Sequence, residues 1–399
     1  MFEIYDLNMN KLSFPDGVVP LEIFVGSISK ERITESVEGR SGVIDYGFNY
    51  KDRPVDLFFR IKAKDEIDFR LLRSEIYNFF DVGVYFYVAE SAVPSRVLKV
   101  VVDDTYLPDR LTVEYADFDV TCRTLDSVFW ESKYTTLELH DSGYSSTVEK
   151  YGLVDNIHDE KAQYRFTPEI LTQNVGSNTF KNGFLSSTTG QESDSSTNLI
   201  IASYVNVVIG NTYKFVDEGW SSAVQYWWIY EYDDNNKFIK AHSFSNKEFD
   251  FVPVGKKLKF MAQPYNDNTL KASDVGVSGS GKSIIPLLKR PSTVNTFSVY
   301  NAGNVTVEPE SMYLDIVFAD TRGDSITVKN KTTGEVLEIN AKTTGHVVRQ
   351  QGMVIYVGGI NRFRDTNRRF IRLLPGINEF EVTGSSYSRA SVDFKFYYK

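Results

Sequence analysis

Residues 55–80, VDLFFRIKAKDEIDFRLLRSEIYNFF, decide the fold of the first part of the chain. The run 55–61 is a short apolar burst of the kind that predicts a strand. Residues 65–80 instead place apolar side chains at helical spacing over four turns, and Asp65 is positioned to cap that helix. The apolar positions of the helix are Ile67, Leu71, Leu72, Ile76, Phe79 and Phe80. We therefore expect a strand followed by one amphipathic helix.

Strand-like runs bounded by turn residues lie on both sides of this stretch. Before residue 130 they are residues 18–25, 84–88, 97–102 and 111–122. After Pro291 they are residues 293–300, 311–318, 325–330, 336–340, 354–357, 378–383 and 391–398. This spacing predicts an antiparallel β-sandwich in the last part of the chain, to which the similar run 164–166 is also assigned. The chain is therefore predicted to be mainly β.

The composition fits a globular β protein of two or three domains. The 399 residues are 42% hydrophobic and 14% aromatic, with 28 Phe and 24 Tyr, which favour strands. The net charge of −9 argues against a general affinity for nucleic acid. A single cysteine, Cys122, excludes an intramolecular disulfide, and four scattered histidines predict no histidine metal site. Neither a signal peptide nor a membrane span is expected.

The distribution of arginine indicates an inserted unit. All 19 arginines lie outside residues 166–289, where lysine supplies all the positive charge. This segment opens with a polar run over residues 172–198 and closes with GVSGSGKS at 276–283, which is typical of a flexible linker. The predicted units are an N-terminal domain over 1–133, a C-terminal sandwich over 134–166 and 290–399, and an inserted module over 167–289.

The closing run 276–283 also matches the phosphate-binding loop pattern G-x-x-x-x-G-K-[ST]. That chemistry needs a buried strand before the loop and a helix after it. The preceding residues are too polar for such a strand, and Pro286 limits any helix to its first turn. We therefore interpret the run as a linker rather than a nucleotide site.

Catalytic chemistry is not predicted elsewhere. No G-x-S-x-G serine motif occurs, and Cys122 lies in a strand-like run where a buried structural thiol is expected. The sequence thus predicts no catalytic residue, no metal site and no cofactor. A dense basic cluster is formed by Arg362, Arg364, Arg368, Arg369 and Arg372. It is either a solvated or salt-bridged loop or an inter-subunit contact with acidic residues.

An aromatic strand, QYWWIYEY at residues 225–232, lies in the inserted module. Alternation places Trp227 and Trp228 on opposite faces, so the strand is either deeply buried or presents a platform of rings. Exposed Trp and Tyr rings stack on the apolar faces of sugars. The candidate saccharide-binding residues are Trp220, Trp227, Tyr230, Asp233, Asn235 and Asn236. Trp220 is the first choice because residues 218–222 have the composition of a loop.

Motifs in the first and last parts of the chain carry a family resemblance. They are GRSG at 39–42, YGFNYKDRPVDL at 46–57, the helix that follows, the strand leading to residue 130, FSVYNAGNVTVEP at 297–309 and LPGINEF at 374–380. These motifs resemble the distal tail proteins of long-tailed phages (siphophages) that infect Gram-positive bacteria. The resemblance covers residues 1–166 and 291–399.

The resemblance implies a β-barrel-like N-terminal domain that closes into a homo-hexameric ring. The ring continues from the tail tube protein and lets DNA pass without binding it. The resemblance also implies a galectin-like C-terminal β-sandwich that holds receptor-binding or other baseplate proteins. It further implies that the distal side of the ring contacts the tail-associated hub or lysin protein. The expected location is the virion tail tip, assembled in the host cytoplasm.

A second resemblance concerns the inserted module. Its motifs are VVIGNTY at 207–213, YEYDDNNKFI at 230–239 and FVP at 251–253. They are similar to jelly-roll carbohydrate-binding modules of phage tails. This similarity implies an inserted jelly-roll β-sandwich that binds a host cell-wall saccharide without identifying the saccharide.

Two other functions stay open. A monomeric multi-domain β lectin that binds cell-surface glycans accounts for the aromatic module, but the sequence shows no export signal. A tail-associated wall-degrading enzyme is disfavoured because no catalytic constellation is recognisable. The mass in solution separates these hypotheses, since a ring of 45.5 kDa subunits fits only the tail protein.

Overall fold

The chain is built from antiparallel β-sheets. The computed structural model describes residues 1–39, 41–81, 85–141, 163–209, 211–219, 224–265, 268–276 and 284–399. Strands provide most of its regular structure, so the prediction of a mainly β chain is confirmed.

The N-terminal part contains one curled sheet, a projecting hairpin and two helices. Its strands are β1 (Phe2–Tyr5), β2 (Val18–Val25), β3 (Ser29–Ser36), β4 (Val43–Lys51), β5 (Pro54–Lys62), β6 (Phe86–Glu90), β7 (Arg96–Val102), β8 (Asp109–Arg110), β9 (Tyr115–Thr124) and β10 (Trp130–Ser132). The helices are α1 (Glu66–Phe80) and α2 (Thr136–Asp141). The sheet runs in the order β1-β6-β7-β9-β5-β2, and its terminal strands β1 and β2 lie in contact, which gives a barrel-like closure.

Strand β5 shows why this sequence forms the sheet. Its inward positions are all fully buried, and they are Val55, Leu57, Phe59 and Ile61. The Phe59 ring stacks on Phe118 of the neighbouring strand β9, with 4.9 Å between ring centroids. Burying each such side chain contributes about 1.5–3 kcal/mol, so the alternation of this strand places it in the N-terminal core.

Helix α1 begins as predicted but turns a different face inward. The Asp65 carboxylate accepts a hydrogen bond from the backbone N–H of Asp68 at 2.8 Å, which caps the helix. The buried side chains are Phe69, Leu72, Ile76 and Phe80. Ile67 and Leu71, both predicted on the apolar face, are 72% and 59% exposed. At about 100° per residue these two lie opposite the buried stripe, so they are on the solvent side of the helix.

The middle part of the chain forms two sheets that face each other. After β11 (Arg165–Phe166), its strands are β12 (Ile170–Asn174), β13 (Phe180–Asn182), β14 (Phe184–Leu185), β15 (Glu192–Ser193), β16 (Leu199–Ile201), β17 (Val205–Asn206), β18 (Tyr213–Asp217), β19 (Val224–Tyr232), β20 (Phe238–Phe244), β21 (Glu248–Phe251), β22 (Lys257–Pro264) and β23 (Pro286–Pro291). The sheet orders are β12-β23-β18-β21 and β13-β16-β22-β19-β20. Phe215 and Trp227 meet between the sheets, with 4.9 Å between ring centroids, and belong to one buried cluster.

The last part forms another two-sheet sandwich. Its strands are β24 (Asn295–Asn301), β25 (Leu314–Thr321), β26 (Ile326–Asn330), β27 (Glu335–Ile339), β28 (His346–Gln351), β29 (Val354–Val357), β30 (Ile360–Asn361), β31 (Gly376–Thr383), β32 (Arg389–Phe394) and β33 (Tyr397–Tyr398). The sheet orders are β11-β32-β25-β28-β29-β30 and β24-β31-β26-β27. Strand β11 thus joins this sandwich, as expected for residues 164–166. At the C-terminal end β33 pairs with β10, and Lys395 forms an ion pair with Glu131 at 2.6 Å.

Candidate functional site

Strand β19 carries the aromatic run and is buried on both faces over most of its length. Trp227 and Ile229 point into the core between the two sheets of the module, whereas Tyr230 and Tyr232 point to the opposite face. A hairpin of β14 and β15 covers that face, and the Tyr230 hydroxyl donates a hydrogen bond to the Leu185 carbonyl at 2.6 Å. The interpretation of β19 as a deeply buried strand therefore applies to these positions.

Trp227 and Tyr230 cannot stack on a sugar in this fold, which corrects their assignment as binding rings. Both side chains are fully buried. The indole Nε1 of Trp227 donates to the Asp217 carboxylate at 3.2 Å, and burial raises the pKa of the Tyr230 hydroxyl. Both rings therefore stabilise the module. The alternation in the sequence is correct, but it does not reveal the hairpin that covers the second face.

Asp233, Asn235 and Asn236 lie in the turn between β19 and β20. The Asp233 carboxylate accepts hydrogen bonds from the backbone N–H groups of Asn235 at 2.9 Å and Lys237 at 2.8 Å. Asn236 has a φ of 62°, a left-handed conformation that asparagine tolerates, and its side-chain oxygen accepts from Lys257 at 2.7 Å. Asp233 and Asn236 thus stabilise the turn, and sugar binding by the three residues stays a prediction.

Trp220, the first choice for a stacking ring, lies outside the described residues. The same holds for residues 277–283, which make up most of the run that matches the phosphate-binding loop. The described ends of that run lie side by side, because the Gly276 N–H donates to the Ile284 carbonyl at 2.8 Å. The chain then enters strand β23 rather than the helix that a phosphate-binding loop requires, which favours the linker interpretation.

Trp228, also on β19, has a partly accessible side chain. Its side chain is half-buried on the outer face, and its Nε1 donates to the Gln263 side-chain oxygen at 3.0 Å. Half-buried Tyr226 lies on the same face, and exposed Ser243 pairs with Trp228 across the ladder. Sequence reasoning placed Trp228 on this face but did not select it. The distinguishing signal is the edge of the covering hairpin, which only the fold provides.

No metal-binding cluster and no membrane-spanning helix occurs in the part of the chain that the structure describes. Histidine, cysteine and acidic side chains form no group of three or more suited to a metal ion there. No helix in that part is long and apolar enough to cross a membrane. The Cys122 thiol is buried, and burial raises its pKa to about 12, so it is not a nucleophile near neutral pH.

Strands β3 and β4 form a projecting hairpin, residues 29–51, which we call the arm. Every residue of β3 is exposed, and within the described residues the two strands pair only with each other. Six apolar residues of the arm are 40–63% exposed, and they are Ile33, Val37, Val43, Tyr46, Phe48 and Tyr50. The Tyr50 ring contacts Phe129 with 5.1 Å between ring centroids, and a two-stranded hairpin beyond such a contact is marginally stable in water, which favours a partner surface for the rest of the arm. Sequence reasoning missed both strands.

A second exposed apolar surface, which we call the helix surface, lies on the same N-terminal domain. Its members are 58–79% exposed, and they are Ile67, Leu71, Leu107, Leu111 and Val113. The guanidinium of Arg110 lies 4.9 Å from the centre of the Phe69 ring, which places the loop around residue 110 beside α1. Contiguous exposed apolar surfaces are typical of sites where proteins meet.

The arginine cluster is only partly paired. Arg372 lies 2.7 Å from the Glu335 carboxylate, and Arg362 lies 3.4 Å from that of Asp365. Three other arginines are exposed and form no ion pair within the described residues: Arg364, Arg368 and Arg369. The salt-bridged interpretation therefore applies to Arg362 and Arg372, and the other three remain available for an external partner.

The fold and these surfaces define a mainly β protein whose N-terminal part exposes apolar surfaces. Residues 15–122 match the family model of the phage tail protein RIFT-related domain. Residues 15–122 therefore contain a phage tail domain, as the family resemblance of the first part of the chain implies.

Solved phage structures resemble the whole chain at low sequence identity. The SPP1 Dit (gp 19.1) protein, described as a paradigm of the hub adsorption apparatus in phages infecting Gram-positive hosts, shares 8% identity with a TM-score of 0.47, covering 100% of both chains. The phage P2 baseplate in its activated conformation shares 7% identity in its calcium and strontium forms, with TM-scores of 0.34 and 0.33, covering 99% of this chain and 97% of the other. These TM-scores are low, so the family model carries the assignment. No curated protein sequence matches the chain.

Proposed function

We propose that the protein is a distal tail protein of a siphophage that infects Gram-positive bacteria, and that its N-terminal domains close into a hexameric ring at the tail tip. The observation that carries this proposal is the presence of the arm and the helix surface on one phage tail domain. In a ring each copy offers one surface to the preceding copy and the other to the following copy. Such a head-to-tail contact closes when its rotation fits.

The proposed domain division is an N-terminal domain over 1–133, a C-terminal sandwich over 134–166 and 290–399, and an inserted module over 167–289. Three clusters of buried side chains support this division, and near the first boundary Val128 and Phe129 belong to the cluster of the sandwich. One cluster centres on strand β5, another fills the sandwich of the last part, and a third lies between the two middle sheets. A module with its own core can be carried on a ring without taking part in ring closure.

The charge of the N-terminal domain supports its role as a passage for DNA. Residues 1–133 contain 16 basic and 24 acidic residues, a net charge of −8. An acidic wall repels the phosphate backbone, so DNA moves through without being held. In this proposal the ring lies between the tail tube protein and the tail-associated hub or lysin protein, and the C-terminal sandwich holds receptor-binding proteins.

The inserted module is proposed to aid adsorption by weak binding of a host cell-wall saccharide. Trp220 keeps its place as a candidate, and half-buried Trp228 replaces Trp227 and Tyr230 as an accessible ring. Dissociation constants of about 0.1–1 mM per module suffice, because six modules on one ring raise the avidity. Binding of the full chain to purified host cell walls, with Trp228→Ala as the variant, tests this role.

The ring proposal is tested by the mass of the purified full chain. Multi-angle light scattering at high micromolar concentration should give about six times 45.5 kDa, or twice that value for stacked rings. A monomer at every concentration would contradict the proposal. A monomer that also binds glycans would support the alternative of a multi-domain β lectin.

A further inference from the structure

The C-terminal sandwich contains a strongly basic stretch in an otherwise acidic protein. Residues 342–372, which we call the basic segment, hold seven basic residues and one acidic residue, a net charge of +6. The whole chain carries −9 and the N-terminal domain carries −8. Arg349 and Arg372 of the segment pair with Asp315 and Glu335 outside it, and the remaining excess of positive charge distinguishes the segment from the acidic N-terminal domain.

The arginines of the basic segment project from an ordered loop. The Asn340 N–H donates to the Asp365 carbonyl at 2.7 Å, and the Asn367 side chain donates to the Val336 carbonyl at 2.9 Å. These bonds hold residues 362–369 against strand β27. The exposed cations that form no ion pair within the described part of the chain are Lys342, Arg364, Arg368 and Arg369. Cations held in an ordered loop lose less conformational entropy when a partner binds.

The surroundings of these cations favour a protein partner. The rings of Phe363 and Phe370 stack with 5.7 Å between centroids and 4° between planes. The exposed apolar residues of the segment are Ile360, Val347 and Met353, at 59%, 43% and 47%. Arginine, methionine and aromatic residues are enriched where proteins meet.

We propose that the basic segment of one copy docks on the acidic N-terminal domain of the adjacent copy. This inference rests on the proposed ring, in which six domains of charge −8 repel one another unless opposite charge lies between them. The N-terminal domain has exposed carboxylates without an ion pair among the described residues, and they include Asp16, Glu22, Glu75, Glu90, Asp109, Glu114 and Asp119. Arginine pairs with such carboxylates through two parallel hydrogen bonds.

The first test reverses the charge of the full chain at two matched places. The variant Arg364→Glu/Arg368→Glu/Arg369→Glu changes the net charge by −6 in the basic segment. The control Lys237→Glu/Lys247→Glu/Lys271→Glu changes it equally at exposed lysines of the inserted module. We expect the concentration for half-assembly, measured by analytical ultracentrifugation, to rise about tenfold in the first variant and to stay near wild type in the control.

The second test maps the contact in the wild-type ring, so it does not depend on how a variant folds. A carbodiimide joins the Lys342 amine to a carboxylate in direct contact, and rings mixed from ¹⁵N-labelled and unlabelled copies identify links between copies. We expect mixed-isotope peptides that join Lys342 to carboxylates within residues 1–133. This inference is overturned if rings form but yield no such peptide, or if both charge variants have the same concentration for half-assembly. Either result leaves the ring proposal intact.

Two further outcomes separate the alternatives. A wild-type chain that never forms a ring contradicts the proposed function and removes the basis of this inference. The wild-type chain is also tested for tight binding of inorganic polyphosphate. If the Arg364→Glu/Arg368→Glu/Arg369→Glu variant loses this binding and assembles into rings like wild type, the basic segment binds a polyanion and the docking proposal is overturned.

Discussion

The proposed closure of the ring through the arm gives a quantitative prediction for Ile33→Asp. Ile33 is 47% exposed in one copy, and a fully buried isoleucine gains about 1.5–3 kcal/mol relative to an exposed one. Docking of the arm therefore gains about 1 kcal/mol at this side chain. A carboxylate in the same apolar contact loses that gain and costs roughly 2 kcal/mol or more in desolvation. The sum, about 3 kcal/mol per contact, raises the dissociation constant of each contact more than about a hundredfold.

The control for this substitution is Ile377→Asp on strand β31 of the C-terminal sandwich. Ile377 is 46% exposed, so the two substitutions change the same chemistry at the same exposure. We expect light scattering to show monomers for Ile33→Asp and rings for Ile377→Asp at the same concentration. The melting temperature of the monomeric Ile33→Asp chain at high dilution should match that of diluted wild type. Equal ring formation by both variants would refute a role of the arm in closure.

Four further predictions concern the inserted module, the helix cap and the thiol. Replacing residues 167–289 by a short linker should leave the light-scattering mass per ring at six subunits, because the module has its own core; insoluble protein would show that the module is integral to the fold. Trp228→Ala should weaken binding to purified cell walls with little change in melting temperature, whereas Trp227→Ala should destabilise the chain by about 3–5 kcal/mol in urea unfolding; the reverse pattern would contradict their placement. Asp65→Ala should cost about 1 kcal/mol in the same assay, and no change would argue against the cap. Cys122 should resist iodoacetamide at pH 8 until urea unfolds the chain, because burial raises the pKa of its thiol to about 12.

Local patterns in the sequence were enough to predict much of the fold. Strand β2 and the inward alternation of β5 follow from periodicity, and the capping of α1 by Asp65 follows from the type and position of one residue. The burial of α1 was predicted less well, since Ile67 and Leu71 lie on the outward face. Apolar residues that serve an assembly surface have the same composition as core residues, so composition does not separate them.

The two strands of the arm were not predicted because burial leaves no pattern in them. A strand is recognised by alternation when one face is buried, and β3 has no buried face within a single copy. For the candidate saccharide site, the sequence pattern likewise does not show which residues are buried. Alternation assigns Trp227 and Tyr230 correctly to opposite faces of β19. The fold covers the strand on both faces, so both side chains are buried.

The sequence by itself determined the mainly β class, the helix cap and the phage tail domain, because periodicity, capping and motifs are properties of neighbouring residues. The tertiary structure decided which rings are accessible, which apolar residues form the arm and the helix surface, and which arginines are paired. Leu185 covers Tyr230 from 45 positions away, and Glu335 meets Arg372 from 37 positions away. Such contacts depend on how distant segments pack, and no local pattern in the sequence encodes that packing.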